Sequence, residues 1–433
     1  MPTWMQWKSG RCKLERAGSG LLESDRKDLE TLESMGHSKV TDGKPGGAPS
    51  GERWMSRLRD DNLISSLTIP GTHDSAAFTS TWPFIQTQRL DISEQLNAGI
   101  RYFDLRCGLR DDIVEMVHGS AVLGVTLSEL LDIMYLWLMS HSSEALVVQI
   151  KQDRQPERSE MHFAWAIWEC MGSAPARWRT ANTTPTLGEL RGKIQLLRRF
   201  RGPTLRAFGI DVTQWQDNPV RPFTINTMHE VQLTIQDHYK PASAEGLPSL
   251  IARKGGDVVE LLSHAAANPD RGHWYINFTS AYEFNVWYQL PPREIAVGGY
   301  WGFRWEHGMN PRLRGYLHEH QGEGKRRYGI VAMDFPESGA DDLVAALIAC
   351  NHKHHAKDRI LISLKFLLLV TTLLLLFVVL TLSGTMVCRT GIGQPAFGCD
   401  ATSRLAFSKI RELAARLYMS SRGLPQWLLR QTR

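Results

Sequence analysis

The sequence predicts an α/β protein: a (β/α)₈ TIM-like barrel followed by a single C-terminal transmembrane helix. Three observations carry that prediction. Short apolar runs alternate with helix-period segments between residues 54 and 350, as in a parallel sheet covered on both faces. Eight such runs can be counted, the number that closes a barrel, and polar, chemically capable residues stand at their C-terminal ends. Beyond them, Phe366 to Val387 holds no charged residue, and a stretch of about 20 apolar residues is long enough to cross a bilayer.

The elements follow in order. Residues 1–52 are rich in Gly, Ser, Lys and Glu and lack periodicity, which predicts a disordered leader. Met1 to about Gly20 carries Lys and Arg without an apolar core, so no N-terminal secretory signal peptide is expected there. Trp54 to Asp61 is a short amphipathic helix by pattern. The first strand is the run Leu63 to Thr68, ended by a tight turn at Pro70-Gly71. His73 and Asp74 come directly after it. Further strands are expected at 100–106, 113–118, 145–151, 193–199, 231–237, 273–278 and 328–334. Helical spacing marks 127–140, 157–171, 247–267, 311–320 and 341–350 as outer helices. The barrel therefore spans 53–352, the transmembrane helix 366–387 and a basic tail 388–433, in which Ser408 to Met419 is amphipathic.

Composition narrows the function. A hydrophobic content of 42% with 22% charged residues is that of a globular enzyme. The net charge of +5 is small and scattered, so it gives no case for nucleic acid and a mild one for an anionic surface. Six cysteines show neither metal-ligand nor redox spacing nor a disulfide framework. No obligate protein partner is evident.

The strand ends supply His73, Asp104 with Arg106, His118, Lys151, Arg199, Asp237 and Asp334. Each has a bland explanation alone: Lys151 as a solvated strand end, Asp237 as a turn residue, Arg199 as a surface charge. On one barrel rim they form one site. Two histidines with acidic partners suit phosphodiester cleavage, one taking the proton of an attacking hydroxyl, the other giving one to the leaving oxygen. Arg106 can hold the phosphate charge without a metal or other cofactor, because its planar fork matches phosphate oxygens and stays ionised.

The ordered set Pro70-Gly71-Thr72-His73-Asp74-Ser75, Arg101-Tyr102-Phe103-Asp104-Leu105-Arg106, Val117-His118-Gly119, Arg191 to Arg199, Gln236-Asp237-His238-Tyr239 and Ala332-Met333-Asp334 resembles the bacterial-type, metal-independent phosphatidylinositol-specific phospholipases C. These carry the X domain of the phospholipase C-like phosphodiesterase superfamily. The resemblance covers residues 54–350. It implies His73 as general base oriented by Asp334, and His118 as general acid partnered by Asp74. Arg106, with Asp104 beside it, would stabilise the phosphate. Lys151, Arg199, Asp237 and Tyr239 would read the inositol hydroxyls. It also implies an inositol phospholipid substrate on a membrane surface, cleaved to diacylglycerol and inositol 1,2-cyclic phosphate. Where the related calcium-dependent eukaryotic enzymes have an Asn after the first His and an acidic residue two beyond the first carboxylate, this chain has Asp74 and Arg106.

Two departures stand out: an aromatic stretch from Ala281 to Trp305, and the transmembrane helix, which makes the expected location a membrane, single-pass. Lys353, Lys357, Arg359 and Lys365 precede that helix and Arg389 follows it, so charge does not orient it. Two rival readings remain open on the sequence: a metal-dependent glycerophosphodiester-type phosphodiesterase, which needs a carboxylate cluster, and a catalytically silent membrane-tethered lipid-binding module.

Overall fold

The computed structural model describes residues 51–202, 208–284, 289–321 and 326–352. The expected leader, transmembrane helix and basic tail lie outside them, apart from residues 51 and 52. Among the described residues, no helix is long and apolar enough to cross a membrane.

Sixteen strands occur among the described residues: β1 (Thr68–Thr72), β2 (Tyr102–Arg110), β3 (Ile113–His118), β4 (Ala121–Thr126), β5 (Leu146–Gln152), β6 (Trp178–Arg179), β7 (Ile194–Arg199), β8 (Ile210–Asp211), β9 (Phe223–Asn226), β10 (Gln232–Gln236), β11 (Trp274–Phe278), β12 (Glu283–Phe284), β13 (Gln289–Leu290), β14 (Gly298–Trp301), β15 (Arg304–His307) and β16 (Gly329–Met333). The main sheet runs β6-β7-β5-β2-β1-β16-β11-β10-β9, with β8 alongside β7. All its pairings are parallel from β7 through to β10, and β1, β11 and β16 are buried at every position. Continuous apolar runs, rather than alternation, are what such strands require. The helices Leu127–Ser140, Phe163–Gly172, Leu247–Ala267, Met309–Glu319 and Leu343–Ala349 cover the outside. Among the described residues, three helix starts, at Asp91, Thr126 and Thr186, carry capping boxes with Glu94, Glu129 and Glu189.

Three expectations are corrected. The first strand does not stop at Pro70-Gly71 but runs through it, and Ile64–Ser66 before it is a 3₁₀ turn. Pro70 is tolerated because its missing N–H faces the β2 side, where that ladder starts only at Gly71↔Tyr102. Gly71 is needed there: a Cβ would lie 2.7 Å from the Tyr102 ring. Second, 113–118 is no barrel strand; it is β3, antiparallel to β2 in a hairpin. The eighth place is taken by the two-residue β8 and by β9, which is antiparallel to β10. Among the described residues β8 and β9 do not pair, and a cavity of about 390 Å³ lies along this seam. Third, the helix expected from 157 begins at Phe163. Residues 157–161 are tied instead to the β2–β3 turn, with Ser159 Oγ accepting from the Asp112 N–H and Asp112 from the Met161 N–H.

Candidate active site

The C-terminal ends of β1 and β16, the part of β2 just past its short pairing with β1, and the returning end of β3 bring six of the expected residues together. His73 Nδ1 donates to Asp334 Oδ1 at 2.9 Å, which leaves its Nε2 as the acceptor facing the barrel mouth. Arg106 Nη2 donates to that nitrogen at 2.9 Å and lies 3.3 Å from Asp104 Oδ2. Arg106 Nε stands 2.7 Å from Asp74 Oδ1. The other Asp74 oxygen is 3.3 Å from His73 Nε2 and 3.5 Å from His118 Nε2, so both imidazoles face one carboxylate. His118 reaches the site because β3 runs back along β2. Its Nδ1 donates to the Ile85 carbonyl at 2.7 Å, which aims Nε2 inward. The expected Asp74–His118 pairing is thus an ion contact, and the hydrogen bond that orients the ring comes from Ile85.

Local backbone geometry serves the same end. Asp74 has φ of +41° and Phe335, directly after Asp334, has φ of +44°. Non-glycine residues are uncommon there, and such strain clusters at functional sites. The turn after β1 is pinned by Gln88, whose Nε2 donates to the His73 and Met333 carbonyls. Ser75 Oγ accepts from the Asp104 N–H at 2.9 Å, and Gln149 donates to Asp104 Oδ1 at 2.7 Å.

The electrostatics follow from these contacts. Burial pulls the His73 pKa down, but the charges of Asp74 and Asp334 outweigh it and leave His73 above its ordinary value. Burial pushes Asp334 up, with His73 opposing. Burial would also raise Asp104, yet Arg106, His73, Arg199 and Lys151 hold it below the usual range. Burial opposes the charge on Arg106, but Asp74 and Asp104 more than restore it.

The remaining four expected residues form the adjoining wall. Lys151 pairs with Asp153 at 2.5 Å. Arg199 lies 3.9 Å from Asp237 and stacks over Trp215 at 4.1 Å, while Trp215 Nε1 donates to Asp237 Oδ2 at 2.8 Å. Tyr239 donates its hydroxyl proton to Asp217 at 2.9 Å. Phe278 links the two halves, its ring edge-on to both His73 and Trp215 at 5.9 Å. Sequence reasoning missed Gln149, Asp153, Trp215 and the Ile85 carbonyl. Gln149 and Asp153 were within reach, since they share with Lys151 the alternate positions of one strand face. Trp215 and Ile85 lie in irregular segments that carry no periodic signal.

His73, Asp74 and Asp104 offer three atoms within 4.8 Å of one another, the spacing of a cation site. All three residues are turned on Arg106 instead. A guanidinium therefore holds the place where a divalent ion would sit, and the donor set does not fit one.

Residues 67–200 match the family model described as phosphatidylinositol-specific phospholipase C, X domain. Over that stretch the chain is similar to this family. It is 28% identical over 321 residues to the 1-phosphatidylinositol phosphodiesterase of Staphylococcus aureus (strain Newman), covering 70% of this chain and 95% of that protein. Identity to the 1-phosphatidylinositol phosphodiesterase of Listeria monocytogenes is 26% over 301 residues, 66% of this chain and 81% of the other. A solved structure of a variant of the phosphatidylinositol-specific phospholipase C from Staphylococcus aureus superposes with a TM-score of 0.59 at 26% identity, covering 70% of this chain and 99% of that one. The X-domain match holds His73, Asp74, Asp104, Arg106, His118, Lys151 and Arg199, whereas Asp237, Tyr239 and Asp334 lie beyond it.

Proposed function

We propose that this protein is a metal-independent phospholipase C that cleaves phosphatidylinositol, or a related inositol phospholipid, to diacylglycerol and inositol 1,2-cyclic phosphate. The observation that carries this reading is the position of Arg106, in contact with His73, Asp74 and Asp104 at once. When a phosphate enters, the guanidinium transfers its donors to the phosphate oxygens and releases His73 Nε2. That nitrogen then accepts the proton of the inositol 2-hydroxyl, while Asp334 stabilises the imidazolium through Nδ1. The 2-oxygen attacks the neighbouring phosphorus, and His118 Nε2–H protonates the departing diacylglycerol oxygen. Attack from within the substrate is favoured by an effective molarity of about 10⁵ M or more when well aligned. Lys151, Arg199, Asp237 and Tyr239 bind the ring hydroxyls.

The protein meets its lipid at an interface, and the mouth side carries aromatics for that purpose. Phe303 at the tip of the β14–β15 hairpin is fully exposed, Tyr300 is 72% exposed and Trp82 is 60% exposed. Tyr300 packs on Trp305 and Trp82 on Phe84, yet both pairs leave apolar surface to the outside. Such side chains favour the bilayer boundary. The apolar stretch 366–387 supports a single-pass membrane location, which would make docking effectively intramolecular.

Diacylglycerol release from phosphatidylinositol vesicles by the full-length protein, in excess chelator, tests the reading. Turnover under those conditions supports it. A strict divalent-ion requirement would favour the glycerophosphodiester-type alternative, and absence of turnover with and without ions the silent lipid-binding module.

A further inference from the structure

Behind the wall that carries Asp237 lies a set of buried polar groups that the acid–base chemistry does not use. Lys254, on the helix Leu247–Ala267, is fully buried. Its ammonium donates to Gln236 Oε1 at 2.9 Å and to the His238 carbonyl at 3.1 Å, gripping the residues on either side of Asp237. Gln236 extends the hold. Its Oε1 also accepts from the His238 N–H, and its Nε2 donates to Asn277 Oδ1 and to the Phe278 carbonyl. Asn277 donates to the Val258 carbonyl, back on the same helix. The circuit thus locks the ends of β10 and β11 to the helix, and those ends present Asp237 and Phe278 to the site.

Burying an ammonium without a carboxylate in contact is costly, and packing alone would be served better by an apolar side chain. Lys254 has no such contact among the described residues, yet the strongest pull of any charge on it comes from Asp237. We propose that Lys254 is a positioning residue for the lipid headgroup: from behind the strand it fixes the backbone of residues 236–238 and so keeps the Asp237 carboxylate directed at the substrate hydroxyls. This rests on reading the site as an inositol-lipid phosphodiesterase.

The arrangement has a pH signature. Burial pushes the Lys254 pKa down to about 8, against the pull of Asp237 and Asp257. The charged groups facing it are Arg253 and Asp257 from its own helix, Asp237 with His238 from the end of β10, and Asp334 from the end of β16. Lys254 is therefore charged below about 8 and neutral above it, so headgroup binding weakens as pH rises through that value.

The test measures KM and kcat for a water-soluble inositol phosphodiester, with wild type and Lys254→Met, from about pH 6.5 to about pH 9.5, spanning the lysine titration. At the low end the variant's KM should exceed the wild-type value about tenfold, the worth of one charge-assisted contact, with kcat much less affected. The KM ratio should then fall toward unity at high pH, because the wild type has shed the same charge. A ratio constant across the range, or a loss confined to kcat, would overturn the proposal. Lys254→Gln gives the same comparison if the methionine variant does not fold. Should neither fold, the wild-type KM decides: it must rise through about pH 8, and a flat profile overturns the proposal. A wild type that never turns over the soluble substrate would instead refute the reading of the site itself.

Discussion

Two arginines bracket the start of β2, and they show how the same side chain is put to opposite uses. Arg101, at the closed floor of the barrel, is fully buried and saturated. It meets Glu144 through Nε and Nη2, and the carbonyls of Leu96, Ile100, Gly51 and Glu52 take its remaining donors. Arg106, at the mouth, also meets carboxylates, but among the described residues its Nε and both oxygens of Asp74 lie buried without a well-formed hydrogen bond. Gln149 Oε1 and the Tyr102 hydroxyl are likewise buried without a partner among the described residues. Burial costs Arg101 part of its basicity, to a pKa of about 10, whereas the carboxylates around Arg106 raise its pKa. Saturated charge holds the fold together. Unsaturated charge at an open mouth keeps bonding capacity for a substrate.

If that contrast is right, changes at the mouth should remove activity and spare stability, and changes at the floor should do the reverse. The largest effect is expected from His73→Ala and His118→Ala, each lowering turnover on phosphatidylinositol by about 10²–10⁴. Near-full activity in either variant would remove that histidine from the mechanism. Because the base must be neutral while the acid is charged, kcat/KM should trace a bell. His73 holds its proton above the ordinary histidine value, so at about pH 6.5 more than half of it is still protonated, and the acid limb should lie above that pH. An acid limb below it would mean the base is not His73. Next comes Arg106→Lys, expected to lower kcat by about 10²–10³, since a point charge cannot reproduce the fork on a developing phosphate charge. Its unfolding midpoint should stay near that of the wild type.

Arg101→Met should show the converse. Removing one partner strands Glu144 as a buried charge, a cost of about 3–5 kcal/mol. Chemical denaturation would detect it, while kcat of the surviving folded fraction stays close to wild type. Equal losses of activity per folded molecule in both arginine variants would dissolve the distinction. The smallest effect belongs to the rim: Tyr300→Ala with Phe303→Ala should weaken vesicle hydrolysis by about tenfold, from the apolar surface withdrawn from the interface. Hydrolysis of a soluble inositol phosphodiester should be spared. Equal losses on both substrates would mean that the hairpin supports the pocket rather than docking.

Much of this was legible in the chain. Long apolar strands such as 145–151 and 328–334 announce themselves, because a buried parallel strand leaves no polar face. The helices at 127–140 and 247–267 have the predicted bounds, being long and strongly periodic. The strand-end residues from His73 to Asp334 were legible because a barrel gathers its strand ends in one place. What escaped had physical reasons. The strand 113–118 has the same apolar pattern whether it runs parallel or antiparallel, and only the tight turn at Asp111 and Asp112, both at positive φ, makes it a hairpin. The strands β8 and β9 are too short for a period. Lys254 sits in a helix as one polar residue among others, and nothing local shows that the fold buries it.

The central claim, a fixed cation in place of a metal and a nucleophile supplied by the substrate, is tested most directly by the first phosphorus-containing product. Phosphorus NMR should follow phosphatidylinositol vesicles with full-length protein in excess chelator. Inositol 1,2-cyclic phosphate should appear first and accumulate before any acyclic phosphate, with no change on adding calcium. Acyclic inositol phosphate from the outset, or turnover only after a divalent ion is restored, would contradict the account.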